Sequence, residues 1–238
     1  MTKIILAILV LSINYSYAHK LPPAVQKIVD EVKLLNGNIE TGRNLSKSCT
    51  TCHGQSGVPN YALGTSTPYL ADQTRTYLAI QLASFKTGDR KFTTMNNVSK
   101  VLSSQDMADL IAFYRSVDAK NAHCENVLET NYLGGDFTRG KLLASKEREF
   151  SRPDGSTVKI SCTMCHGENG LMPEQSRAGT LHPDLAALGE AYVFSTLASF
   201  RIGSRVGGPM GIITAQLSDD DLADLAAYYS QLNRCSSF

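Results

Sequence analysis

"CTTCHGQSG" spans Cys49–Gly57, and "CTMCHGENG" spans Cys162–Gly170. Each has two cysteines three apart, a histidine directly after, then a glycine, then a second glycine three residues on. Three chemistries use such a pair. A thioredoxin-like dithiol needs a strand–helix setting, and this chain shows helical patterning without parallel strands. A structural zinc site could gather Cys49, Cys52, Cys162 and Cys165 as four thiolates. It would tie two separate segments through one metal and leave both histidines without a role. The third chemistry is covalent haem attachment. The thiols add to the haem vinyl groups, and the adjacent histidine reaches the iron. Two matches, each heading a repeat, favour this last reading. Cys49, Cys52, Cys162 and Cys165 are then the attachment points of two c-type haems, with His53 and His166 as proximal iron ligands.

The repeat extends well beyond the motifs. "YLAIQLASFKTGDRKFTTMNNVSKVLSSQDMADLIAFYRS" from Tyr77 runs without a gap against "YVFSTLASFRIGSRVGGPMGIITAQLSDDDLADLAAYYSQ" from Tyr192, an offset of 115. Gly88 matches Gly203, Arg90 matches Arg205, Met95 matches Met210, and Pro68 matches Pro183. Upstream, "ETGRNLSKSC" resembles "FTRGKLLAS…SC", with an insertion near residues 146–160 in the second copy. The insertion holds "RPDGST", a turn signal between short extended stretches. The expected organisation is a signal peptide over 1–18, an extra N-terminal helix over 19–35, and a first domain over 36–118. A linker over 119–134 and a second domain over 135–238 follow.

The rest of the pattern is helical. Met107, Leu110, Ile111 and Tyr114 recur at i, i+3, i+4, i+7, one face of a helix. Ser103-x-x-Asp106 and Ser218-x-x-Asp221 look like capping boxes at matching helix starts. Further helices are expected over 74–86 and 190–201, each stopped by a glycine. A third pair leads into the cysteine motifs. Val25, Ile28, Val29, Val32 and Leu35 make an amphipathic helix that packs on the first domain.

A sixth iron ligand decides between a carrier and an enzyme. A thioether raises the potential and closes the iron to substrates. Met107 is explained by core packing on its helix face. Met95 and Met210 stand at matching positions in segments that read as non-helical, and gap filling explains the coincidence poorly. They are the expected distal ligands. A ligating histidine also needs an acceptor for its other ring nitrogen, and a loop fixed by Pro68 or Pro183 could offer a carbonyl.

The N-terminal "MTKIILAILVLSINYSYAHK" pairs Lys3 with an apolar run and small residues before Ala18. This is the pattern of a secretory signal peptide cleaved after Ala18, which predicts a periplasmic protein. The apolar run is shorter than the roughly 20 residues of a membrane span, so no transmembrane segment is expected after cleavage. Peripheral membrane association is compatible. With 23 Lys+Arg against 22 Asp+Glu and no dense basic run, nothing points to nucleic acid.

These residues resemble a known family. Each half is similar to a class I cytochrome c, and the duplication resembles the dihaem cytochrome c4 family. The resemblance rests on the two Cys-x-x-Cys-His motifs, "YLAIQLASFKTGDR", "LSSQDMADLIAFY" and "LSDDDLADLAAYYSQL". It implies an all-α fold of two tandem haem domains facing each other. It implies single-electron transfer from a quinol-oxidising or dehydrogenase complex toward an oxidase. It carries Cys49, Cys52, His53 and Met95 to one haem, and Cys162, Cys165, His166 and Met210 to the other. The cytochrome subunit of flavocytochrome c sulfide dehydrogenase looks similar too, which would make a flavoprotein the partner. A haem enzyme with an open sixth position is the third possibility, and two matched methionines argue against it.

Other residues carry weaker expectations. Cys124 and Cys235 each follow the last helix of a repeat and form a disulfide, remain free, or bridge two chains. Arg90 and Arg205 pair with haem propionates or lie solvated in loops. His19, His123 and His182 read as terminal or ordinary loop residues.

Overall fold

The computed structural model describes residues 21–59, 67–118, 133–151, 155–173, 180–205 and 207–232. The expected signal segment, Cys124, Cys235, His19 and His123 lie outside the described residues. Helix α1 is Pro23–Leu34, opened by a proline in its first turn, where a missing N–H costs nothing. The first repeat then runs α2 (Ile39–Ser46), a short 3₁₀ turn, α3 (Thr50–His53), α4 (Arg75–Thr87), α5 (Thr93–Val101) and α6 (Ser104–Ser116). The second follows the same order: α7 (Phe137–Ser145), α8 (Cys162–His166), α9 (Glu190–Arg201), α10 (Pro209–Thr214) and α11 (Asp219–Gln231). The insertion between α7 and α8 forms a hairpin. Strand β1 (Arg148–Ser151) pairs antiparallel with β2 (Thr157–Ile160), Arg148 opposite Ile160.

Local chemistry sets the helix ends. Ser103 and Ser218 each accept from the backbone N–H three residues on, at Asp106 and Asp221, and those carboxylates reach back. Each capping box satisfies two backbone donors that the first turn would strand. Helix α4 stops where Gly88 turns left-handed at φ 83°.

Each repeat closes by crossing its first helix over its last. In α2, Gly42 packs so close to α6 that an added Cβ would lie 2.0 Å from the Asp109 carbonyl oxygen. In α7, Gly140 meets the Asp224 carbonyl of α11 at the same 2.0 Å. Buried carboxylates complete both crossings. Asp109 accepts from the Asn38 N–H, and Asp224 from the Asp136 N–H, each at 2.7 Å. Helix α1 presses Val25, Val29 and Val32, all 0% exposed, onto Leu78 of α4 and Leu110 of α6. Each buried valine contributes roughly 1.5–3 kcal/mol.

The two repeats share a buried seam. Tyr69 and Ala71 of the first repeat are buried in the second repeat's core beside Leu188 and Tyr192. Gln73, 2% exposed, donates to the Asp184 carbonyl and accepts the Asp184 N–H, both at 2.9 Å.

The helix crossings make a direct prediction. Gly140→Val forces a side chain into the α11 backbone and is expected to cost about 3 kcal/mol. Chemical denaturation read by far-ultraviolet circular dichroism would check this, and an unchanged midpoint would refute the close crossing.

Candidate haem sites

The glycine after each histidine is a steric requirement. Gly54 caps α3 at φ 74° and Gly167 caps α8 at φ 78°, a conformation that disfavours side chains. A Cβ there would lie 2.0 Å from the Val58 or Leu171 carbonyl oxygen. The turn directs each chain toward the loop that holds its histidine. His53 Nδ1 lies 3.0 Å from the Pro68 carbonyl, and His166 Nδ1 lies 2.9 Å from that of Pro183. A carbonyl only accepts, so each Nδ1 carries the proton and each Nε2 keeps its lone pair for a metal. Both rings are buried. Burial lowers the pKa of His53 and pushes His166 down to about 4. At neutral pH both are uncharged imidazoles, the form that ligates.

In the second repeat the remaining groups meet in one apolar cavity. Cys162, Cys165, His166 and Met210 all line it, and it encloses about 1640 Å³ of empty space including its open mouth. Two thiols, a fixed neutral imidazole and a thioether around apolar walls fit a covalently held haem. The rival readings fit worse. Among the described residues no three His, Cys, Asp or Glu side chains converge as a metal site, which removes shared zinc. Burial pushes the Cys162 and Cys165 thiols up, opposite to a reactive dithiol.

In the first repeat Cys49 is half-buried at the N-cap of α3, and Cys52 is exposed within that helix. Met95 and Met210 occupy helices rather than non-helical segments: Met95 sits in the first turn of α5, Met210 in that of α10. Tertiary contacts and a proline override the weak local propensity. Asn96 Nδ2 donates to the Phe85 and Arg90 carbonyls at 2.7 and 2.8 Å, while its Oδ1 accepts from the Phe92 N–H. Pro209 starts α10, a signal present in the sequence. Both methionines are half-buried, whereas Met107 is 0% exposed in the core.

Two expectations for loop residues change. His182 is half-buried, and its ring packs edge-on against His166 at 5.9 Å between centroids. Arg90 and Arg205 do not lie in separate surface loops: they meet at the seam, where Arg205 is only 8% exposed and Arg90 is half-buried. Gln73, Tyr77, Gln81 and Tyr192 escaped the sequence reading, although Tyr77 and Tyr192 head the two aligned repeats.

The family model described as cytochrome c matches residues 39–118 and again 154–233. The chain belongs to the cytochrome c family. It is a dihaem cytochrome with two covalently attached c-type haems, one per domain. It is 28% identical to cytochrome c4 of Azotobacter vinelandii over 83% of this chain and 90% of that one. It is 30% identical to the thiosulfate dehydrogenase electron acceptor of Thiomonas intermedia (strain K12), covering 70% and 68%. The solved structure of reduced cytochrome c4 from Pseudomonas stutzeri aligns with a TM-score of 0.62 at 26% identity. The alignment covers 83% of this chain and all of that one. A thiosulfate dehydrogenase (TsdBA) from Marichromatium purpuratum aligns at 0.64 and 26% identity over 81% of this chain. The cytochrome spans only 40% of that protein's length.

Two outcomes follow. Replacing Cys49 and Cys52 together by alanine is expected to halve the haem content, from two per chain to one, by the pyridine haemochrome assay. Asn96→Ala removes the contacts that hold α5 and is expected to cost about 2 kcal/mol. If α5 supplies the distal ligand of the first haem, added imidazole should also bind that haem more readily in this variant. An imidazole titration identical to the unsubstituted protein's would show that Asn96 does not position Met95.

Proposed function

We propose that this cytochrome is a periplasmic carrier of single electrons, with both irons closed by a histidine and a methionine. Cys49, Cys52, His53 and Met95 would hold one haem, and Cys162, Cys165, His166 and Met210 the other. A haem bound this way supplies reversible one-electron chemistry at its iron. The protein's residues do the rest. The Pro68 and Pro183 carbonyls fix the imidazoles, so neither ring turns when charge changes. Apolar walls in the second domain line the haem pocket. The single observation that supports the carrier most is the placement of Met95 and Met210 in the first turn of equivalent helices.

The N-terminal apolar run and Ala18 support export. Among the described residues no helix is long and apolar enough to cross a membrane. The donor would be a quinol-oxidising or dehydrogenase complex and the acceptor an oxidase. A second reading makes the protein the electron-accepting subunit of a larger enzyme, such as flavocytochrome c sulfide dehydrogenase. What favours a subunit is similarity to a thiosulfate dehydrogenase electron acceptor and to part of a thiosulfate dehydrogenase chain. In that setting the catalytic protein reduces one haem and the other passes the electron on.

The carrier reading predicts that reductive titration takes two electrons per chain and that the oxidised protein does not bind cyanide on mixing. Rapid cyanide binding, or reduction by thiosulfate without another protein, would overturn it. Native purification separates the two settings: stoichiometric association with a catalytic protein supports the subunit.

A further inference from the structure

Tyr77 and Arg90 correspond to Tyr192 and Arg205 at the repeat offset. The structure brings all four to the seam and crosses them. Arg90 donates from Nη2 to the Tyr192 hydroxyl at 3.2 Å, and Arg205 donates from Nη2 to the Tyr77 hydroxyl at 3.0 Å. The two arginine backbones meet as an isolated antiparallel bridge. Each guanidinium also lies 4.5 Å from the ring of its own repeat's phenylalanine, Phe85 or Phe200. Gln81 breaks the symmetry, since its counterpart is Thr196. Its Oε1 accepts from both arginines, at 2.6 Å from Arg90 and 2.9 Å from Arg205.

Two cations that share one acceptor, Arg205 buried and Arg90 half-buried, call for negative charge, because a buried unpaired charge is heavily penalised. Among the described residues neither guanidinium forms an ion pair with a carboxylate. Arg205 Nη1 is buried and has no hydrogen-bond partner. The excess is felt next door. Burial pushes both phenols up and the arginines pull both down; at Tyr192 the arginines prevail, whereas at Tyr77 burial does. Both arginines line the cavity that also holds Cys162, His166 and Met210. A haem brings the missing charge, since it carries two propionate carboxylates, and a guanidinium fork matches a carboxylate.

We propose that Arg90 and Arg205, one from each domain, together receive the propionate carboxylates of the second-domain haem. This rests on the haem assignment proposed above. The second haem is then completed by a residue of the first domain, and its potential depends on that residue. Reduction adds an electron to the haem, so a nearby cation favours the reduced form.

Redox titration of the haem-loaded protein tests this, with the second-domain wave assigned as the one that Met210→His moves. Arg90→Gln is expected to raise the oxidised-to-reduced ratio of the second haem at a fixed ambient potential by roughly tenfold. Arg90→Lys keeps the charge and is expected to shift it less. A second-domain wave unmoved in Arg90→Gln, with two haems per chain, overturns the proposal. If that variant does not mature, resonance Raman spectra of Arg90→Lys decide. A displaced propionate bending band supports the anchor, and an unmoved one refutes it. The two readings fail separately: cyanide binding refutes closed irons, and an unmoved wave or band refutes the cross-domain anchor.

Discussion

Three consecutive residues, His182, Pro183 and Asp184, hold a histidine and a domain boundary at once. The Pro183 carbonyl accepts from His166, while its neighbours face the other repeat. The His182 carbonyl accepts from Thr74 Oγ1, and Asp184 exchanges two hydrogen bonds with Gln73. The first repeat uses its loop the same way. Pro68 accepts from His53, and the adjoining Tyr69 is buried in the second repeat's core. Neither His53 nor His166 can therefore be repositioned without disturbing the seam. A ligand ring anchored this way reorganises little when the metal changes charge, which suits electron transfer.

The helices serve that constraint. Gly42 and Gly140 allow the first and last helices of each repeat to touch backbone to backbone, so each domain closes on a small core. Such a core is modest for a domain of this size, and a covalently held haem adds apolar surface to it. Helix α1 and the β1–β2 hairpin lie outside the repeated pattern. Helix α1 extends the first core, and the hairpin leads directly into α8, next to Cys162.

Much of this was legible in the sequence. The capping boxes at Ser103 and Ser218, the glycine stop at Gly88, the hairpin around the insertion and the amphipathic α1 all follow from local rules. The role of the Pro68 and Pro183 carbonyls was legible too, because a ligating imidazole needs an acceptor. Helices α5 and α10 were not. "TTMNNVSK" is polar and β-branched, and its helix depends on Asn96 bonding to a distant turn. The seam was equally hidden. Tyr77, Gln81, Tyr192 and the arginines acquire their roles only when two repeats stack, and no periodicity within one repeat records that pairing.

The proposed carrier role rests on both irons being bound by one histidine and one methionine and so closed to substrates. Near-infrared magnetic circular dichroism of the fully oxidised protein reads the axial ligands of low-spin haems directly. Closed irons give the histidine–methionine signature at an intensity equal to two haems per chain. A bis-histidine or high-spin signature at either haem would contradict it.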